Sequence, residues 1–132
     1  MLPKSFLARP LAHRAHHDKA HGRVENSLTG IKSAITHGYG IEIDVQLASD
    51  GVPMVFHDYD LRRLTIEQGP LAQRSSAQLA MIPLMGDSTT IPTLAQVLDL
   101  VAGRVPVLIE LKDQDGGLGP NTGPMGKAVA QV

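Results

Sequence analysis

Gly40-Ile41-Glu42-Ile43-Asp44-Val45 alternates apolar and acidic residues with the two-residue period of a strand. That period sends Ile41, Ile43 and Val45 to one face and both carboxylates to the other. Two acids side by side on a strand flanked by apolar sequence repel each other unless a cation lies between them. Standing alone, such a pair is read equally well as a solvated edge face or a salt-bridged interior. It does not stand alone. Val105-Pro-Val-Leu-Ile-Glu-Leu-Lys112 carries Glu110 and Lys112 on one face by the same alternation, and residues 6–13 and 52–57 give two further strand-like runs. Each run ends in polar residues: His13-Arg14, Glu42 with Asp44, His57-Asp58, and Glu110 with Lys112.

Helical periodicity fills the gaps. Leu28, Ile31 and Ile35 share one face of a helix over residues 25–37, with Asn26 or Ser27 to cap its start and Gly38 beyond its end. A second helix runs from Thr93 through Leu94, Val97, Leu98 and Val101, between Pro92 and Gly103, and a shorter one lies within residues 75–81. Residues 113–126 read as a glycine- and proline-rich loop, and Lys127 to Val132 as a helix just begun. Strands alternating with helices predict an α/β fold with a parallel sheet joined by right-handed crossovers. In such folds the C-terminal rim of the sheet carries the active site.

The 132 residues, 14.1 kDa, leave room for one domain, spanning residues 1–132. An apolar share of 42% fits an ordinary core, and 19% charged residues of mixed sign, net −1, argue against a disordered chain. With no basic run and four aromatics, the chain has neither the electrostatic footprint nor the stacking platform of a nucleic-acid binder. It contains no cysteine, hence no disulfide frame, thiolate site or cysteine nucleophile. The N-terminus lacks a signal-peptide core and no window approaches a membrane span, so the expected location is the cytoplasm.

Glu42, Asp44 and Glu110 offer three oxygen donors and no sulfur, a set suited to Mg²⁺ or Ca²⁺ rather than Zn²⁺. A divalent ion with Arg14 and Lys112 outweighs these three carboxylates by one charge, which favours an anionic substrate such as a phosphodiester. His13 and His57, on separate strands at the same rim, can then serve as an acid and base pair near neutral pH. The expectation from the residues is phosphoryl transfer.

Taken in order, Leu11-Ala-His-Arg14, Val24-Glu-Asn-Ser27, Gly40-Ile-Glu-Ile-Asp-Val45, Asp50-Gly-Val-Pro-Met-Val-Phe-His-Asp58, Leu61-Arg-Arg-Leu-Thr65, Ile91-Pro-Thr-Leu94 and Ile109-Glu-Leu-Lys112 resemble the motifs of the glycerophosphodiester phosphodiesterase family. The resemblance implies a TIM (β/α)8 barrel that hydrolyses glycerophosphodiesters to an alcohol and glycerol 3-phosphate with a divalent cation, in lipid and glycerol metabolism. It places general acid and base on His13 and His57, metal carboxylates on Glu42, Asp44 and Glu110, and phosphate-side cations on Arg14 and Lys112. Glu25 takes a supporting role beside the metal. Ala15 stands where the family usually has glycine, and adds strain if that position needs a positive φ. Val24 replaces a proline and costs only a rigid lead into the helix.

A whole barrel takes about 250 residues. The chain therefore reads as an apparently truncated N-terminal half, with about the first four β/α units. Open edges at its first and fourth strands invite a homodimer. Two alternatives accompany the enzyme: a non-catalytic half-barrel remnant or interaction module, and a related phosphodiesterase acting on phosphoinositides or sphingolipids. Other features have simpler readings. Residues 16–21, rich in histidine, are a solvated loop, His37 a helix-terminal surface residue, Gly116-Gly-Leu-Gly119 a connector, and Met81 and Met85 core or loop filler.

Overall fold

The computed structural model describes residues 3–114 and 123–132. A short helix α1 (Ser5–Ala8) precedes strand β1 (Leu11–Ala12), so the run over residues 6–13 is a strand only near its end. Helix α2 (Leu28–His37) begins where the Ser27 hydroxyl accepts from the Gly30 N–H and ends on Gly38, whose φ of 69° a side chain would strain. Then come β2 (Gly40–Leu47), β3 (Pro53–Val55), a short α3 (Ser76–Leu79), α4 (Leu94–Val101), β4 (Val107–Leu111) and α5 (Gly123–Ala130). Both α3 and α4 open with a reciprocal cap, Ser75 with Gln78 and Thr93 with Gln96. Helix α5 starts before Lys127, so the glycine- and proline-rich loop ends sooner than the composition implies. Gly116 to Gly119 lie outside the described residues.

Strand β2 is the axis of the sheet. β1 pairs with it in parallel at Gly40 and Ile41, and β4 in parallel from Ile41 to Val45. One expectation is corrected here. Strand β3 runs antiparallel to β2, pairing Val45 with Val55 and Leu47 with Pro53, rather than as a further parallel strand. The physical reason is short range: residues 48–52 are too few for a crossover, which takes a dozen or more. They form a hairpin instead, with the Ala48 N–H on the Val52 carbonyl at 3.0 Å and Gly51 at φ 78°. The open α/β sheet stands as read, with β1, β2 and β4 carrying the parallel β/α repeat among the described residues.

Two cores hold the chain. Ile41, Ile43 and Val45 turn one face of β2 against Ile31 and Ala34 of α2 and Leu94, Val97 and Val101 of α4. The long connection from β3 to α4 builds the second core around Met54, Phe56, Leu61, Leu71, Leu79 and Ile91. Met81 and Met85 are exposed, which makes them loop residues. Asp87 ties this connection to the start of α2, accepting from the Val24 N–H at 2.9 Å and the Thr29 hydroxyl at 2.5 Å. With both apolar faces covered, the opposite face of β2 is left to Glu42, Asp44 and Gln46.

Candidate functional site

The register places Asp44 directly opposite Glu110, because β2 and β4 pair in parallel. Ligand atoms of Glu42, Asp44 and Glu110 all lie within 4.8 Å of one another. The Lys112 ammonium bridges two of them, 3.0 Å from Asp44 Oδ1 and 2.7 Å from Glu110 Oε1. Arg14 enters from the end of β1. Positive φ at Arg14 and Ala15, 53° and 68°, turns the chain so that the Arg14 N–H donates to Glu42 Oε2 at 2.8 Å. Ala15 thus occupies the left-handed conformation that glycine adopts freely, at about 1–2 kcal/mol for an alanine. Its methyl is buried in the core beside α2, which returns about 0.8 kcal/mol. His13 Nε2 lies 3.9 Å from Glu42 Oε2, with most of its side chain in solvent.

Asp44 is the most enclosed of the carboxylates. Burial alone pushes its pKa up, but hydrogen bonds from Asn26 and Lys112 overcome that and hold it below the ordinary carboxylate value. Asn26 meets it twice, its amide donating to Asp44 Oδ2 at 2.9 Å and its carbonyl accepting from the Asp44 N–H at 3.2 Å. Burial likewise pushes the Lys112 amine down, and Glu110 with Asp44 raises it above its usual range. Ser27, not Asn26, caps α2. Asn26 serves the site instead, and the only sequence signal for it is its place in the Val24-Glu-Asn-Ser27 block.

Beside this cluster stands a second group, Glu25, His57 and Asp58, again with ligand atoms within 4.8 Å. Its cation is a side chain. Arg63 Nε and NH2 donate to Asp58 at 2.6 and 2.9 Å, while NH1 and NH2 donate to Glu25 at 3.0 and 2.6 Å. Glu25 also meets Arg14 NH1 at 3.3 Å, so it lies on the two arginines rather than among the three clustered carboxylates. Arg63 outweighs burial and, with His57, pulls the Asp58 carboxyl down to about 2. Such a carboxylate stabilises the fold fully above its ordinary pKa near 3.8, and that contribution is lost on acidification through about 2. Asp58 Oδ1 lies 2.7 Å from His57 Nδ1. Buried Gln46 donates to the Phe56 and Asp58 carbonyls at 2.9 and 2.7 Å, fixing the backbone on both sides of His57.

The site residues named from sequence therefore fall into two adjoining groups, Glu42, Asp44, Glu110, Arg14, Lys112 and His13 in one, and His57 with Glu25 in the other. Their chemistry fits a cation and an anion together. Three oxygen donors lie close together, two of them already drawing an ammonium, and Arg14 Nε is a buried donor with no hydrogen-bond partner, 3.6 Å from Asp44 Oδ2. Elsewhere, His16 departs from the solvated-loop reading: its ring packs edge-on against His37 and Tyr39, and its Nδ1 meets the Ser33 hydroxyl at 2.8 Å. Among the described residues, no helix is long and apolar enough to cross a membrane.

Comparison with known proteins gives a consistent picture. A model described as the glycerophosphoryl diester phosphodiesterase family matches residues 13–131. An uncharacterised protein of Mycobacterium tuberculosis is 30% identical over 123 residues, covering 82% of this chain and 39% of that protein. Glycerophosphodiester phosphodiesterase 1 of Rattus norvegicus is 36% identical over 66 residues, 49% of this chain and 20% of its own length. The structure of an Oleispira antarctica phosphodiesterase in complex with the product sn-glycerol-3-phosphate aligns with a TM-score of 0.71 and 31% identity, covering 82% of this chain and 46% of that one. The chain spans less than half the length of each of these three.

Proposed function

Because the chain belongs to the glycerophosphoryl diester phosphodiesterase family and folds as an open part of a TIM barrel, we propose that it hydrolyses glycerophosphodiesters to an alcohol and glycerol 3-phosphate. The observation that carries this reading is the cluster of three carboxylates with two cationic side chains and the His13 imidazole, adjoined by the group that holds His57. The product named for the Oleispira antarctica relative, sn-glycerol-3-phosphate, is the product assigned to this chain by the same reading.

Glu42, Asp44 and Glu110 would hold a divalent cation, Mg²⁺ or Ca²⁺, which would supply positive charge against the phosphoryl oxygens. Arg14 and Lys112 pair with the remaining phosphoryl oxygens and stabilise the charge that grows there. His57 donates its Nδ1 proton to Asp58, which leaves the Nε2 lone pair free to act as base. Nε2 takes a proton from the attacking water as the new P–O bond forms. The P–O bond to the alcohol breaks, and protonated His13 gives its proton to the departing oxygen. Glu25 supports Arg14 from behind. The reading includes a homodimer, since Leu11 and Leu108 remain exposed and β4 pairs only with β2 among the described residues.

The test is release of glycerol 3-phosphate from glycerophosphocholine by the 132-residue chain, shown folded by circular dichroism, in Mg²⁺, Ca²⁺ or chelator. Release is expected with cation and not with chelator, and Glu42→Gln should lower it at least 100-fold, consistent with loss of a charge-stabilising group. A folded sample that releases nothing under any condition overturns the activity and leaves a non-catalytic module.

A further inference from the structure

The turn Leu61–Arg63 lies in the long connection between β3 and α4, on the rim of the second core, with Leu61 buried beneath it. Its two arginines behave differently. Arg62 folds back on Asp60 at 2.9 Å, within its own turn. Arg63 crosses 38 positions of sequence to Glu25 and returns to Asp58, five residues before it. Resting on the phosphodiesterase reading above, we propose that Arg63, anchored on Glu25, is a positioning residue that fixes the His57 imidazole through Asp58.

The geometry carries the argument. A lone aspartate can rotate its carboxyl plane and swing away from an imidazole at little cost. Here both Asp58 oxygens are occupied by Arg63, Oδ2 by Nε at 2.6 Å and Oδ1 by NH2 at 2.9 Å. Oδ1 is the oxygen that meets His57 Nδ1 at 2.7 Å. The guanidinium is itself fixed, because NH1 and NH2 take both oxygens of Glu25. A planar fork with donors in set directions can pin two carboxylates at once, which the single ammonium of a lysine cannot. Gln46 holds the Asp58 backbone carbonyl at 2.7 Å, so side chain and main chain of Asp58 are both restrained. Among the described residues the four Arg63 side-chain hydrogen bonds go to Asp58 and Glu25, so its influence on the imidazole runs through Asp58. A pinned Asp58 keeps the proton of neutral His57 on Nδ1 and the lone pair on Nε2, the tautomer a general base requires.

The test uses Arg63→Gln and Arg63→Lys in the 132-residue chain, alone and with Asp58→Asn, and reads both hydrolysis of glycerophosphocholine and the His57 ring nitrogens by ¹H–¹⁵N NMR at a pH where the ring is neutral. Arg63→Gln should lower kcat about tenfold or more with KM changed less than threefold, as for loss of a productive orientation. Arg63→Lys should fail to restore it, and in both variants the His57 signals should move from the Nδ1–H form toward a mixture. On the Asp58→Asn background, Arg63→Gln should cost less than threefold further, because its effect runs through Asp58. A rise in KM alone, a loss that multiplies fully with Asp58→Asn, or unchanged His57 signals overturns the proposal. If the unaltered chain hydrolyses nothing, the phosphodiesterase reading fails, and the His57 spectra still decide whether Arg63 sets the tautomer.

Discussion

His57→Ala should lower glycerophosphodiester hydrolysis by about 10²–10⁴-fold while leaving the melting temperature close to that of the unaltered chain. The split follows from where His57 sits. Its ring belongs to neither core and, among the described residues, hydrogen-bonds to Asp58, so truncation removes little buried apolar area. Asp58 keeps both hydrogen bonds to Arg63, so no carboxylate is left unpaired. What is lost, on the proposed function, is the base, which general acid–base catalysis values at two to four orders of magnitude. Steady-state rates beside thermal melts check it. A rate loss under fivefold with the fold intact would remove His57 from the chemistry.

Asp44→Ala should cost stability as well as the cation site, by about 3–5 kcal/mol, the range for breaking a buried charge network by removing one partner. The Asp44 side chain is 2% exposed and faces Lys112, Arg14 and the Asn26 side-chain nitrogen, while the Asn26 carbonyl accepts from the Asp44 backbone N–H. Removing it takes the buried carboxylate from between Lys112 and Arg14, which keep Glu110 and Glu25, and leaves the Asn26 amide nitrogen without its acceptor. Glu110→Ala is the control, since the Glu110 side chain is 56% exposed and its pair with Lys112 is worth at most about 1 kcal/mol. Urea unfolding of the two variants measures the difference. The pH dependence has a definite sign: Asp44 is held below its ordinary pKa of 3.8, so its contribution is present above that value and lost on further acidification. Asp44→Ala should flatten the acid limb below about pH 4.

Much of this arrangement is legible in the chain because periodicity and capping are local properties. The alternation in residues 40–45 sets which side chains of β2 face α2 and α4 and which face the site, and the structure divides them the same way. Ser27, Gly38 and Thr93 mark helix ends through the residues' own backbone chemistry. The direction of β3 was also written locally, in Asp50-Gly51 and the shortness of residues 48–52, and a strand count that ignores turn length misses it. Helix α1, none of whose residues is buried, and the late start of β1 lie on either side of Pro10, a break that the strand pattern over residues 6–13 overlooks. The roles of Asn26 and Arg63 have a different origin. Asn26 meets Asp44 across 18 positions and Arg63 meets Glu25 across 38, and no period or spacing encodes such contacts. The Arg63 contact depends on the second core, in which Leu61 of the Leu61–Arg63 turn packs with Leu71, Leu79 and Ile91.

The central claim is that one cluster on this rim takes a divalent cation and a phosphoryl anion together, and calorimetric titration tests it most directly. Mg²⁺ or Ca²⁺ is titrated into the folded chain with and without sn-glycerol 3-phosphate, beside Glu42→Gln. The account predicts one cation per chain, tighter binding of each ligand in the presence of the other by at least fivefold, and loss of both effects in Glu42→Gln. Glycerol 3-phosphate that binds equally well in chelator, or a cation that binds Glu42→Gln as tightly as the unaltered chain, would contradict it.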